Sequence, residues 1–114
     1  MGKTILVVDD ERIIQKILKE VFETEGFDSI VCERGDDAVQ YIGMVDVLIT
    51  DFNMPGMNGD RLVALAKSQR PNMPAMIMSG AVEDVPKNHL ANKLIAKPFK
   101  FAEITSWVKE VTAE

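Results

Sequence analysis

The sequence predicts an α/β fold in which helices cover both faces of a doubly wound parallel sheet. Five short, mostly apolar runs alternate with amphipathic stretches along the whole chain. Strands that are buried on both faces read as continuous apolar runs, and their alternation with helical patterns is typical of βαβ units. Polar side chains directly follow several of these runs, which points to a ligand site at one edge of the sheet.

The five predicted strands follow from the apolar runs. They span residues 4–8, 29–32, 45–50, 75–79 and 94–96. Because the intervening stretches carry helical patterns, we expect a (βα)5 fold with the flavodoxin-like strand order 2-1-3-4-5. This order places the carboxyl ends of the first and third strands side by side.

The first connection has the clearest helical pattern. Asp10 is the expected N-cap, and Gly26 is the expected C′ residue that ends the helix. The apolar stripe between them, at i, i+3 and i+4 spacing, consists of Ile13, Ile14, Ile17, Leu18, Val21 and Phe22.

The later connections are less regular. A modest helix is expected over about 36–42, and the segment 53–59 is so rich in turn formers that it must be a loop. A third helix follows this loop. Residues 82–93 form poor helix because Pro86 interrupts them. A last helix carries the apolar residues Ile104, Trp107, Val108 and Val111.

Composition limits the functional classes. The chain has 114 residues, 46% of them hydrophobic, and a net charge of −5 with acids and bases interleaved. This length suits a single domain, and the lack of a basic stripe argues against direct binding of nucleic acid or anionic lipid. No apolar run approaches the ~18 residues of a membrane helix, and there is no signal-peptide core. We therefore expect a cytoplasmic protein that does not contact membranes.

Ionisable and hydroxyl side chains stand at the predicted carboxyl ends of four strands. Asp9 and Asp10 follow the first strand, and Asp51 follows the third. Ser79 closes the fourth strand, and Lys97 follows the fifth. Ligands of open α/β sheets bind just past these ends, so the pattern predicts a site for a divalent cation and a phosphoryl group.

The three aspartates predict a magnesium site. Three adjacent carboxylates would raise one another's pKa, and a hard divalent cation relieves that repulsion. Asp10 and Asp51 are the expected direct ligands, with Asp9 in the second sphere or bound through water. The backbone carbonyl of Asn53 can supply another oxygen. Asp9 and Asp10 alone would equally fit a helix cap, so the prediction depends on their combination with Asp51 and Lys97.

Asp51 is the expected nucleophile. A carboxylate beside a metal can attack phosphorus and form an aspartyl phosphate, a reaction that needs mainly alignment and charge neutralisation. Lys97 and the Ser79 hydroxyl are expected to hold phosphoryl oxygens. Taken singly, Ser79 also fits a turn residue, and Lys97 also fits a surface charge.

Over its whole length the sequence resembles the receiver domains of two-component response regulators. The matching motifs lie at residues 5–11, 51–59, 79–81 and 97–99. The resemblance implies that Asp51 accepts a phosphoryl group, with Mg²⁺, from a histidine kinase or a histidine phosphotransfer protein. It implies a phosphoacceptor that catalyses its own phosphorylation and slow dephosphorylation, rather than a turnover enzyme. It also implies that Ser79 moves toward the phosphoryl group and that the Lys97–Pro98 peptide is cis.

Two departures from the family pattern concern the switch. Leu94 stands where receiver domains usually carry an aromatic residue or histidine, three positions before Lys97. The interval from Ser79 to Lys97 is about one helical turn shorter than usual, so the fourth helix is expected to be short or irregular. These departures weaken the expectation of the usual aromatic switch and of dimerisation through the surface that includes the fourth helix. They do not affect the expectation of phosphorylation.

Other functions stay open at the level of sequence. A pseudo-receiver that serves only as a scaffold would fit the departures. A phosphatase of the haloacid dehalogenase type would also use an aspartate nucleophile with Mg²⁺, but Asn53 stands where its second aspartate belongs. We expect residues 1–114 to be one receiver domain with no output domain in this chain. It would act by binding a protein target, by passing the phosphoryl group on, or as a domain of a longer regulator.

Overall fold

Five parallel strands form the central sheet. In the computed structural model, which describes residues 2–113, they are β1 (Thr4–Val8), β2 (Asp28–Cys32), β3 (Val47–Asp51), β4 (Ala75–Ser79) and β5 (Lys93–Ala96). Their order across the sheet is β2-β1-β3-β4-β5, and all neighbouring pairs are parallel. The predicted fold class and strand order are confirmed. The bounds of β3 differ slightly from the prediction, because the strand begins at Val47 and includes Asp51, and β2 and β5 each begin one residue earlier than predicted.

Helices cover the sheet on both faces. They are α1 (Arg12–Thr24), α2 (Gly35–Ala38), α3 (Gly59–Gln69) and α4 (Phe101–Thr112), with 3₁₀ turns at Val39–Met44 and Val82–Asp84. The second helix is therefore only partly as predicted, since it tightens into a 3₁₀ turn after four residues. Within residues 2–113, no helix is long and apolar enough to cross a membrane.

Two hydrophobic cores lie on opposite faces of the sheet. Ile5 and Val7 of β1 point into the core that α1 and α4 cover, whereas Leu6 and Val8 point into the core that α2 and α3 cover. All five residues of β3, and all five of β4, are buried. This double coverage explains why the strands read as continuous apolar runs rather than as alternating patterns.

The start of α1 differs from the sequence prediction. Glu11, not Asp10, is the N-cap residue, and no side chain of the described chain caps the helix. The buried Asp9 carboxylate instead accepts a hydrogen bond from the Glu11 backbone N–H at 2.9 Å. The end of α1 is as predicted, because Gly26 has a φ of +90°, a conformation that favours glycine.

The connection between β4 and β5 lacks an α-helix. All of its residues belong to the described part of the chain, and only Val82–Asp84 form a 3₁₀ turn, in agreement with the predicted weak helix. Val85 is buried in the core that α3 covers. Lys67 of α3 donates a hydrogen bond to Asn92 Oδ1 at 2.6 Å, and this oxygen also accepts the Ala75 N–H at 3.0 Å. A loop with one buried side chain thus covers this part of the sheet.

Candidate functional site

Three aspartates meet at the carboxyl edge of the sheet. Val8 pairs with Thr50 across the neighbouring strands β1 and β3, so Asp9 and Asp51 follow at the same level. Asp9 is fully buried and Asp51 is 7% exposed, whereas Asp10 is exposed. One carboxylate oxygen from each residue lies within 4.8 Å of the other two. The structure therefore brings together the three acids that the sequence placed at strand ends.

Lys97 reaches this carboxylate cluster from the end of β5. Its Nζ lies 2.9 Å from Asp9 Oδ2 and 3.4 Å from Asp51 Oδ1, and its side chain is 17% exposed. The backbone N–H of Lys97 donates to the Ser79 carbonyl at 2.8 Å, which fixes the end of β5 to the end of β4. The Lys97–Pro98 peptide is cis, as the resemblance implied.

Glu11 is a further partner of Lys97, and sequence analysis assigned it no role. Its Oε1 lies 2.9 Å from Lys97 Nζ, and its side chain is 55% exposed. The only signal in the sequence was its position directly after the two acids Asp9 and Asp10. The two partners are 86 residues apart in the chain, so local spacing could not have paired them.

The electrostatics of the site follow from burying several charges together. Burial, with the charge of Asp9 adding to it, raises the pKa of Asp51 to about 6 even though Lys97 opposes the rise. Burial also raises the pKa of Asp9, against the hydrogen bonds from Glu11 and Lys97. Burial alone would lower the pKa of Lys97, but its hydrogen bonds to Asp9 and Glu11 outweigh that effect and raise it. The site therefore holds more negative charge than its one ammonium group balances.

The loop after β3 is held close to Asp51. Phe52 donates its N–H to the Met78 carbonyl, and Gly59 donates its N–H to the Phe52 carbonyl, both at 2.8 Å. A Cβ atom at Gly59 would overlap the carbonyl oxygen of Asp51. Gly56, at a φ of +86°, provides the turn within the loop. Small residues thus let the loop that contains Asn53 return to the site.

Ser79 lies at the end of β4, beside β3. It is 2% exposed, and its Oγ accepts a hydrogen bond from the Ala81 N–H at 3.0 Å. The hydroxyl therefore closes the turn after β4 in this structure. Leu94, at the position of the usual aromatic residue, is half-buried and packs against the core that α3 covers.

The donor set fits Mg²⁺, which prefers one or two carboxylates together with carbonyl and water oxygens. Asp10 and Asp51 offer carboxylates within reach of each other. Asp9 is already bound by Lys97 and by the Glu11 N–H, which suits an indirect role. Burial and the neighbouring charge of Asp9 raise the pKa of Asp51, and a bound cation would offset the repulsion between the two carboxylates.

Comparison with known sequences agrees with this geometry. The response regulator receiver domain family matches residues 5–109. The aerobic respiration control protein ArcA of Escherichia coli (strain K12) is 34% identical over 107 residues, which are 89% of this chain and 44% of that protein. The transcriptional regulatory protein CpxR of the same strain is 33% identical over 111 residues, or 94% of this chain and 48% of that protein. The chain thus spans about half the length of these curated relatives.

Solved structures show the same likeness. A response regulator receiver domain from Francisella has 28% identity and a TM-score of 0.85, with 96% of each chain covered. The response regulator TrrA from Thermotoga maritima, solved in complex with Mg²⁺ and BeF, has 29% identity and a TM-score of 0.84, with 96% of this chain and 98% of that chain covered. On its sequence, fold and carboxylate cluster, this chain belongs to the response regulator receiver domain family.

Proposed function

We propose that the chain is a phosphorylation-controlled signalling module whose Asp51 accepts a phosphoryl group. The observation that supports this most directly is the position of Lys97 Nζ, 2.9 Å from Asp9 and 3.4 Å from Asp51, beside an acidic cluster suited to Mg²⁺. A buried carboxylate that neighbours both a cation and a metal site has the surroundings that an aspartyl phosphate requires.

The proposed donor is the phosphohistidine of a histidine kinase or of a histidine phosphotransfer protein. An oxygen of Asp51 attacks phosphorus, the P–N bond breaks, and its electron pair leaves with the imidazole. Lys97 stabilises the charge on one phosphoryl oxygen, and the Ser79 hydroxyl turns from the Ala81 N–H to donate to another. Asp10, Asp51 and the Asn53 carbonyl would hold Mg²⁺, which when bound supplies positive charge to the phosphoryl oxygens.

In this proposal the chain is a phosphoacceptor and not a turnover enzyme. It catalyses only its own phosphorylation and the slow hydrolysis of the aspartyl phosphate. Phosphorylation would signal by changing how the chain binds another protein. Direct binding of nucleic acid is disfavoured, because the net charge is −5 and the sequence has no basic stripe.

The test is the intact mass of the protein after incubation with acetyl phosphate, with and without Mg²⁺. We expect the wild type to gain one phosphoryl group only when Mg²⁺ is present, and Asp51→Asn to gain none. Asp84→Asn, a change at an exposed aspartate outside the site, is the matched control and should behave as the wild type. Labelling of Asp51→Asn to the wild-type level would refute the assignment of the nucleophile.

The same incubation separates the alternatives when inorganic phosphate in the solution is measured as well. A folded wild type that takes up no label would support the scaffold interpretation. Continuous release of inorganic phosphate, in large molar excess over protein, would support a phosphatase. The structure offers Asn53 two residues after Asp51, where a phosphatase of that type needs an acid, and this favours the phosphoacceptor.

A further inference from the structure

Lys97 has three ammonium N–H donors and three carboxylate neighbours. Asp9 and Glu11 each lie 2.9 Å from its Nζ, whereas Asp51 lies at 3.4 Å. The two short contacts therefore go to the two acids that are not the proposed phosphoacceptor. Lys97 therefore lies beside Asp51 but makes its shorter contacts with the other two carboxylates.

We propose that Glu11 is a positioning residue that restrains Lys97 in the unphosphorylated protein and thereby slows phosphoryl transfer to Asp51. This inference rests on the proposed function. As the new bond forms between the Asp51 oxygen and phosphorus, and the bond from phosphorus to the donor breaks, charge builds on the phosphoryl oxygens. Lys97 must turn toward these oxygens, and Glu11 competes with them for the same N–H donors.

Of the two short contacts, the one to Glu11 is the one that can be released. Asp9 is fully buried, and both of its oxygens are engaged, Oδ1 by the Glu11 N–H and Oδ2 by Lys97. The Glu11 side chain is 55% exposed, so water can replace Lys97 as its partner at little cost. Transfer of Lys97 from Glu11 to a phosphoryl oxygen therefore leaves Asp9 in place.

The Glu11 side chain can be changed without loss of the local fold. Glu11 is the N-cap residue of α1, but its side chain makes no capping hydrogen bond within the described structure. The hydrogen bond to Asp9 comes from its backbone N–H, which any substitution except proline keeps. Effects of Glu11→Gln and Glu11→Asp therefore report on the side chain and on Lys97.

The experiment measures the initial rate of phosphoryl uptake from acetyl phosphate with Mg²⁺, by intact mass. Glu11→Gln removes the charge that holds Lys97. Glu11→Asp keeps the charge but shortens the side chain by one methylene, so that it no longer reaches Lys97. We expect both variants to react roughly two- to fivefold faster than the wild type, the range typical of an ion pair with an exposed carboxylate. Glu20→Gln, at an exposed site on the same helix, is the control and should match the wild type.

The affinity for beryllium fluoride in the presence of Mg²⁺ provides a second readout that a merely structural role would not improve. It should rise by a similar factor in both Glu11 variants. A faster Glu11→Gln beside an unchanged Glu11→Asp would overturn the inference, because the effect would then be charge repulsion of the donor. Unchanged or slower rates in both variants would overturn it too. An unlabelled wild type would instead contradict the proposed function.

Discussion

Asp51→Asn is expected to stabilise the fold at neutral pH when Mg²⁺ is absent. The folded protein raises the pKa of Asp51 from 3.8 to about 6, with burial as the largest cause. The unfolded chain therefore ionises this carboxyl more readily than the folded chain does. The stability that the protonated Asp51 carboxyl contributes is fully present below its unfolded pKa of 3.8. It is lost as the pH rises through the folded pKa of about 6. Asparagine has the same shape and carries no charge to bury.

The magnitude follows from the two pKa values. At about 1.4 kcal/mol per pH unit, the rise from 3.8 to about 6 corresponds to about 3 kcal/mol of lost stability above the folded pKa. This value already includes the attraction between Asp51 and Lys97, which lowers the pKa of Asp51. We therefore expect Asp51→Asn to exceed the wild type by up to about 3 kcal/mol at about pH 8, and by little at about pH 4.

The assay is urea unfolding with EDTA at both pH values, with Asp84→Asn as the exposed control. The decisive quantity is the difference in unfolding free energy between Asp51→Asn and the wild type, which must grow as the pH rises. A difference that is the same at both pH values would refute the electrostatic argument. Added Mg²⁺ should stabilise the wild type more than Asp51→Asn, because bound cation favours the ionised carboxylate.

Three further substitutions test the site and its supports. Lys97→Ala leaves buried carboxylates without their cation, so it should lower the unfolding free energy by about 3 kcal/mol at neutral pH and slow phosphoryl uptake, while Mg²⁺ affinity in a titration stays the same or rises. Gly59→Ala should cost about 1–3 kcal/mol, because the new Cβ overlaps a backbone carbonyl, whereas Gly43→Ala has open space and should be neutral in the same urea assay. Val85→Ala should cost about 2 kcal/mol, and the same change at the more exposed Val82 should cost clearly less; equal losses would contradict the role of Val85 in the core.

The fold and much of the site could be predicted because the arrangement of the strands in the sheet produces recognisable local patterns in the sequence. A strand covered on both faces must be apolar throughout, so each strand appears as a run. Parallel strands share one carboxyl edge, so the first polar residue after each run falls near the others. Asp9, Asp51 and Lys97 are brought together by this rule alone, although Lys97 is 88 residues from Asp9 in the chain.

The errors arose where two local interpretations compete. Asp10 has the residue type of an N-cap, yet Asp9 one position earlier receives the Glu11 N–H, so the cap moves to Glu11. The contact between Glu11 and Lys97 depends on how far a flexible glutamate reaches across the edge of the sheet, and no spacing rule contains that information. The helical pattern also does not distinguish an α-helix from the 3₁₀ turn that begins after Ala38.

Because the connection between β4 and β5 has no α-helix, the β5 edge of the sheet should open locally more easily than the central strands. β1 and β3 lie in the middle of the sheet with helices over both faces, whereas β5 is an edge strand of four residues whose neighbouring connection is a loop. Fewer buried contacts must break to release that edge, so its amide protons should exchange with solvent before those of β1. Ser79 and Lys97 both border this easily opened unit. A change at Asp51, the proposed phosphoacceptor, would therefore act beside an edge of the sheet that opens more easily than its centre.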